Sequence, residues 1–222
     1  MERLRPSDRD FLQPDQVGTV NVINRTAVVL LCAHLEGYLE ELAVDFVDCL
    51  SRNAKSASDI PLAIRVVHFT EAAGGIMGKR LEILNSRDTL PVEEFFAHHA
   101  QLWGGPLHRP ITVLDPTLLT ADMSNPSGDR IRKFVGQLGV SNAFRPIRGS
   151  PYVPRADGLR ETINDMVRKR HAIAHGEAGT PDSLPTSGDV RRYFVAVMRL
   201  ALRTEHQLTK ILEPICAPNA VW

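Results

Sequence analysis

The sequence lacks the features of membrane proteins and of disulfide-stabilised secreted domains. Its 222 residues contain no run of about 18 apolar residues, so we expect no membrane-spanning helix. The segment Met1 to Asp10 is charged and has no apolar stretch of the signal-peptide type. Cysteine is scarce, because only Cys32, Cys49 and Cys216 occur, with no C-x-x-C spacing and no paired framework. We therefore predict a cytoplasmic protein whose thiols are small apolar residues, although an odd cysteine could also be reactive.

The signatures of several enzyme classes are also missing. The glycine-rich segment Gly74 to Lys79 lacks the glycine spacing of a phosphate-binding P-loop, and Arg80 stands where a serine or threonine is needed. No nucleophile-elbow sequence supports a hydrolase triad. His171 and His175 have the spacing of metal ligands on a helix, but no third ligand is evident apart from Glu177. We therefore expect neither a metal nor another cofactor.

An excess of charge of one sign is absent overall but present locally. The 26 basic and 26 acidic residues cancel, so the whole chain does not indicate a polyanionic partner. Between Asp129 and Glu177, however, ten lysines and arginines stand against five acids. This surplus either attracts a polyanion such as RNA or forms a solvated face balanced by the acidic remainder of the chain.

Helical spacing of apolar residues dominates the sequence, and no strand alternation or internal repeat is found. Four main helices are predicted: Thr19 to about Ser51; a helix opened by Asn125-Pro126-Ser127-Gly128 and stopped at Gly139; Leu159 to Ala174, followed by Gly176; and Val190 to Leu212, ended by Pro214. We therefore predict an all-α fold, a helical bundle of about four main helices.

Residues 57–124 interrupt this pattern. They contain apolar runs separated by glycines and prolines, with short helices predicted at Ile76–Asn85 and Val92–Leu102. We interpret residues 1–222 as a single helical domain in which 57–124 are inserted between the first long helix and the rest of the bundle.

Arg170 occupies an unusual position in the third predicted main helix. It follows Ile163 by seven residues and Met166 by four, so it continues the apolar stripe, where an unpaired guanidinium is costly. In a structural interpretation it forms an ion pair with Glu36 or Glu40 of the first helix. In a functional interpretation it lies at the edge of a cleft and binds a phosphate.

His175 follows Arg170 by five residues, which is about 140° around a straight helix. One rigid helix would not easily direct both side chains at a single phosphate. Either the chain leaves the helix at His175 and Gly176, or a second copy of the protein supplies the other half of the site. The second option predicts a two-fold dimer.

These residues resemble a known family. The segment Arg170-His171-Ala172-Ile173-Ala174-His175-Gly176 is similar to the signature of the HEPN superfamily, in which an arginine and a polar residue precede a histidine. Cys32 to Glu40 resembles the first long helix of HEPN proteins of the RiboL-PSP kind, and Asn125-Pro126 leading into Ile131 to Gly139 resembles the helix before the motif. The likeness covers roughly residues 20–55 and 125–212.

The resemblance implies a homodimer with both motifs in a shared cleft and RNA cleavage without a metal. Arg170 and His175 match the two catalytic positions, and His171 matches the polar position that tunes or orients them. Arg168 and Lys169, in the basic segment directly before the motif, are predicted to contact the RNA.

Two functional hypotheses follow. The first is an endoribonuclease acting as a toxin or phage-defence effector, with a cognate antitoxin or regulator as a further partner. The second is a noncatalytic HEPN-like helical module that binds RNA or a protein partner through the same residues.

Overall fold

The computed structural model describes residues 14–78, 90–104, 107, 111–121, 123–144, 158–177 and 184–216. In these ranges the chain forms seven α-helices, one short 3-10 helix at Ala57–Asp59 and no strand, which confirms the predicted all-α fold. The α-helices are α1 (Pro14–Asn53), α2 (Leu62–Gly78), α3 (Leu90–Ala100), α4 (Thr117–Thr120), α5 (Gly128–Gln137), α6 (Leu159–Ala174) and α7 (Ser187–Leu212). No helix in the described ranges is both long enough and apolar enough to cross a membrane.

The four predicted main helices correspond to α1, α5, α6 and α7, whereas the middle region differs from the prediction. A helix was predicted at Ile76–Asn85, whereas the structure has α2 at Leu62–Gly78. The predicted positions after Gly78 lie outside the described residues. His68 interrupts the apolar run that starts α2, yet it is fully buried. Its Nε2 accepts a hydrogen bond from the Asp115 backbone N–H at 2.8 Å, so this polar residue is compatible with a buried helix face.

The described residues group into two compact units. The first takes in those within Met1–Tyr38, Ser124–Ile131 and Phe144–Arg203, and the second takes in those within Leu39–Met123, Arg132–Ala143 and Thr204–Trp222. The organisation as one domain with an insertion at 57–124 stays a prediction.

The first unit is built on α1, α6 and α7. The Ser187 hydroxyl donates to Asn24 at 3.3 Å, and the Tyr38 hydroxyl donates to the Ala201 carbonyl at 3.3 Å. The residue numbers of α1 and α7 rise together across these contacts, so the two helices run parallel. The core between the helices is apolar. It includes the fully buried residues Val28, Leu35, Ile163, Met166 and Leu200.

The second unit contains a correction to the predicted cysteine chemistry. Cys49 and Cys216 are joined by a disulfide, so the prediction of three unpaired thiols is wrong for these two residues. The third cysteine, Cys32, is a buried free thiol. The two bonded residues are 167 positions apart, which is why local spacing could not reveal the pair.

Helices α5 and α6 both end where a glycine was predicted to stop them. Gly139 and Gly176 have φ angles of 94° and 70°, in the left-handed region that glycine enters at little cost. After α5, the Val140 N–H donates to the Val135 carbonyl at 3.0 Å; after α6, the Glu177 N–H donates to the Ala172 carbonyl at 3.1 Å. This bond across six residues is the Schellman arrangement, which satisfies a terminal carbonyl and turns the chain away from the helix axis.

Gly139→Ala is expected to lower the free energy of unfolding by about 1–3 kcal/mol, because alanine is strained at this φ. The added Cβ would also lie 3.2 Å from Cβ of Pro61. Urea denaturation measures the change. Gly136→Ala is the control: this glycine lies within α5 with no neighbouring atom within 4 Å of the added Cβ, so alanine should be neutral or stabilising. Equal effects of the two substitutions would contradict the assigned turn.

Candidate active site

The predicted motif lies at the C-terminal end of α6. His175 caps the helix with φ −88° and ψ 6°, and its backbone N–H donates to the His171 carbonyl at 3.0 Å. Because the chain turns only at Gly176, His175 keeps a nearly helical position. The helix therefore presents His171 and His175 on successive turns of one face.

The two imidazoles form a pair at the surface. Their ring centroids are 4.1 Å apart with an interplanar angle of 56°, and both residues are exposed. Arg168 precedes His175 by seven residues, which places it about 20° around the helix from His175 and about 10 Å away along the axis. One exposed face of α6 thus carries a guanidinium and two imidazoles.

Arg170 lies on a different side of α6. It is half-buried, and its positive charge acts on the Cys32 thiol of α1. Burial raises the pKa of this thiol to about 12; the guanidinium opposes that shift and the Glu36 carboxylate adds to it. These interactions place Arg170 and Glu36 in the same neighbourhood within the first unit.

The ion pair considered for Arg170 is not formed in the described part of the chain. Among the described residues of the first unit, Arg170 does not lie within 4 Å of the Glu36 carboxylate. The guanidinium therefore sits partly out of water with no carboxylate from these ranges to neutralise it. Such a group favours an anionic ligand.

Arg168 belongs to a cluster organised by one carboxylate. Asp165 accepts hydrogen bonds from Arg168 at 2.6 Å, from Arg192 at 2.7 Å and from the Tyr193 hydroxyl at 2.6 Å. Burial and the bond to Asp165 raise the pKa of Tyr193. The carboxylate thereby fixes two arginines, one on α6 and one on α7, beside each other. Sequence reasoning missed Asp165; its only local signal is its position three residues before Arg168.

Lys169, which was predicted to contact RNA, is only 8% exposed. It follows Met166 by three residues and so continues the buried stripe of α6. Burial alone would raise the pKa of Asp189 in α7, but hydrogen bonds from Thr186 and the charges of Arg192 and Lys169 lower it. The charge of Lys169 thus acts on Asp189 inside the unit, and its contact with RNA stays a prediction.

The first turn of α7 is held by a capping box. Thr186 donates from its N–H and hydroxyl to the Asp189 carboxylate at 2.9 and 2.8 Å, and the Asp189 N–H donates back to the Thr186 hydroxyl at 3.1 Å. This start of α7 lies near the end of α6, because the charge of Lys169 lowers the pKa of Asp189 and Arg192 donates a hydrogen bond to Asp165. Residue numbers on α6 fall as those on α7 rise, so these helices run antiparallel.

Metal ligands are not gathered at this site. Among the described residues, no group of three or more histidine, cysteine or acidic side chains could hold a metal ion.

The chain thus combines a long first helix with an arginine and a histidine, five positions apart, at the end of a later helix. The family model described as RiboL-PSP-HEPN matches residues 9–210, and the chain belongs to this family. Comparisons with curated proteins and with solved structures found no significant match.

Proposed function

We propose that this chain is a metal-independent endoribonuclease of the HEPN type that acts as a homodimer. The observation that carries the proposal is the chemistry at the end of α6: a half-buried Arg170 without a carboxylate partner in the described ranges, and an exposed His171–His175 pair. A guanidinium binds phosphate oxygens and an imidazole transfers protons near neutral pH. Membership of the RiboL-PSP-HEPN family supports this reading.

The proposed reaction is transesterification within RNA. His175 acts as general base and takes the proton of the ribose 2′-hydroxyl, whose oxygen then bonds to phosphorus. The bond from phosphorus to the 5′-oxygen breaks, and that oxygen takes a proton from water. Arg170 stabilises the charge that develops on the phosphate, and His171 orients His175. The products are a 2′,3′-cyclic phosphate, or its hydrolysis product, and a 5′-hydroxyl.

The geometry of α6 supports the proposed dimer. Arg170 is half-buried beside α1, whereas His175 is exposed about 140° further around the helix. A single subunit therefore directs the two groups to different sides. In a two-fold dimer with the motifs at the seam, Arg170 of one subunit and His175 of the other meet at one phosphate.

The test is incubation of the purified protein with labelled RNA and with DNA of the same sequence, in the presence of a chelator. We expect RNA to be cut and to carry 2′,3′-cyclic phosphate ends, whereas DNA stays intact because it lacks the 2′-hydroxyl nucleophile. Loss of activity in the chelator would contradict the metal-independent mechanism. Binding of RNA without any product would favour the noncatalytic alternative.

The same proposal includes a cellular role as a toxin or phage-defence effector. A ribonuclease toxin or phage-defence effector would act in the cytoplasm, where its RNA substrate is found, and would need an antitoxin or regulator. Expression of the wild type is expected to stop cell growth, whereas expression of the His175→Ala variant is not.

A further inference from the structure

A groove separate from the histidine pair runs between α6 and α7 in the first unit. It has a volume of about 350 Å³. Leu159 and Thr162 of α6 line one side, and Arg191, Arg192 and Arg199 of α7 line the other. Among the described residues that line it, three are arginines and none is acidic, so the groove is suited to an anion.

The three arginines differ in how they are held. Arg192 bonds Asp165 and Asp189 at 2.7 and 3.1 Å and lies over the Tyr193 ring at 5.3 Å, so its charge is largely compensated and its position is fixed. Arg191 and Arg199 form no ion pair or hydrogen bond with any described residue. These two arginines therefore supply the uncompensated charge.

The spacing of that charge fits an extended ligand. Arg191 and Arg199 are eight residues apart on α7, which corresponds to about 12 Å along the helix axis. A single small anion would contact one of them. A chain of phosphates contacts both, with the forked guanidinium groups bonding phosphate oxygens.

An exposed aromatic side chain adjoins this charge. Phe194 is 54% exposed and follows Arg191 by three residues, so the two side chains are neighbours on the helix surface. Base stacking on an aromatic ring beside a basic groove is the usual means of binding single-stranded nucleic acid.

The groove is connected to the histidine pair through Asp165. This carboxylate holds Arg192, which lines the groove, and Arg168, which lies on the same face of α6 as His175. From Thr162 to His175 is thirteen residues, or about 20 Å along α6. A strand that leaves the groove over Asp165 and Arg168 also has to turn about 140° around α6 to reach His175.

We propose that this groove binds the phosphates of single-stranded RNA that flank the cleaved linkage, with Phe194 stacking on a base. The choice of RNA rests on the proposed function, whereas the groove itself rests on its own residues.

The test measures binding of a short labelled single-stranded RNA in the His175→Ala background, so that cleavage cannot interfere. Adding Arg191→Ala and Arg199→Ala is expected to weaken binding about tenfold or more, because two charge-assisted hydrogen bonds are lost. The slope of log affinity against log salt concentration should become shallower by about 1.4, since each phosphate contact on a single strand contributes about 0.7. Phe194→Ala should weaken binding without changing this slope.

The control removes two cations elsewhere. Arg52→Ala with Lys210→Ala takes away the same charge from exposed positions in the second unit, and should leave both affinity and slope nearly unchanged. Light scattering of every variant checks that the mass in solution is the same as that of the background protein. An equal loss in the control would mean that only net charge matters, and would overturn the proposal.

The failure of this inference can be told apart from the failure of the proposed function. If wild type cuts no RNA but the groove substitutions still remove binding, the groove stands and the nuclease does not. If RNA binding is unaffected while binding of a polyglutamate peptide is lost, the groove serves an acidic protein partner and the inference is wrong.

Discussion

His175→Ala is expected to lower the rate of RNA cleavage by about 100-fold to 10,000-fold, the range that a positioned general acid or base contributes. The imidazole is exposed at the end of α6 and paired with His171 at 4.1 Å, so its removal takes away a proton carrier and leaves no buried cavity. The free energy of unfolding should change by less than about 0.5 kcal/mol. Single-turnover cleavage of labelled RNA and urea denaturation measure the two quantities.

The control for this substitution is His206→Ala. His206 is also an exposed histidine on a helix, but it belongs to the second unit and lies outside the motif. Its removal should leave cleavage unchanged. His171→Ala is expected to have an intermediate effect, because His171 contacts His175 without taking the proton from the substrate. If the His175 variant cleaved as fast as the His206 variant, the catalytic assignment would be wrong.

The helices that form the candidate site could be predicted because their signals are local. Apolar residues recur at helical spacing through α6, and Gly176 marks its end with a left-handed φ of 70°. The same reasoning located the end of α5 at Gly139. A helix and its stop depend on residues within one or two turns, which a single sequence displays directly.

The contacts between helices could not be predicted in this way. Asp165 and Arg192 are 27 residues apart and meet only because α6 and α7 pack antiparallel. The burial of Lys169 could not be predicted for the same reason, because its neighbour Asp189 lies on α7. Partners across an interface depend on helix rotation and register, which periodicity alone leaves open.

The contacts between helices decide how the basic residues at the motif, which are consecutive in the sequence, are interpreted. Arg168, Lys169 and Arg170 are consecutive, and consecutive residues on a helix point about 100° apart. The structure places them in three environments: exposed beside Asp165, buried near Asp189, and half-buried near Cys32. A basic run is therefore not one phosphate-binding surface. Arg168 and Arg170 are the two residues of this run that are not buried, and they face different directions.

Arg170→Ala is expected to lower cleavage by about 100-fold to 1,000-fold, the usual loss when one group that stabilises transition-state charge is removed. Arg170→Lys should recover only part of this, because an ammonium cannot bond two phosphate oxygens as a forked guanidinium does. Arg52→Ala, which removes an exposed arginine paired with Asp48, is the control and should not affect the rate.

The stability of the Arg170→Ala variant distinguishes a catalytic role of Arg170 from a structural one. Since Arg170 forms no ion pair with Glu36 in the described ranges, its removal should change the free energy of unfolding by less than about 1 kcal/mol. A loss of about 3–5 kcal/mol, as expected on breaking a buried ion pair, would instead support the structural interpretation.

Mixing the two inactive variants tests the dimeric site directly. A dimer with His175→Ala in one subunit and Arg170→Ala in the other keeps one Arg170 and one His175, on different chains. If the two groups meet across the two-fold axis, such mixed dimers, purified by different tags, should cleave RNA faster than either parent homodimer. If both groups must come from one chain, every site in the mixture is incomplete and no activity returns. The half-buried Arg170 and the exposed His175, on different sides of α6, favour the first result.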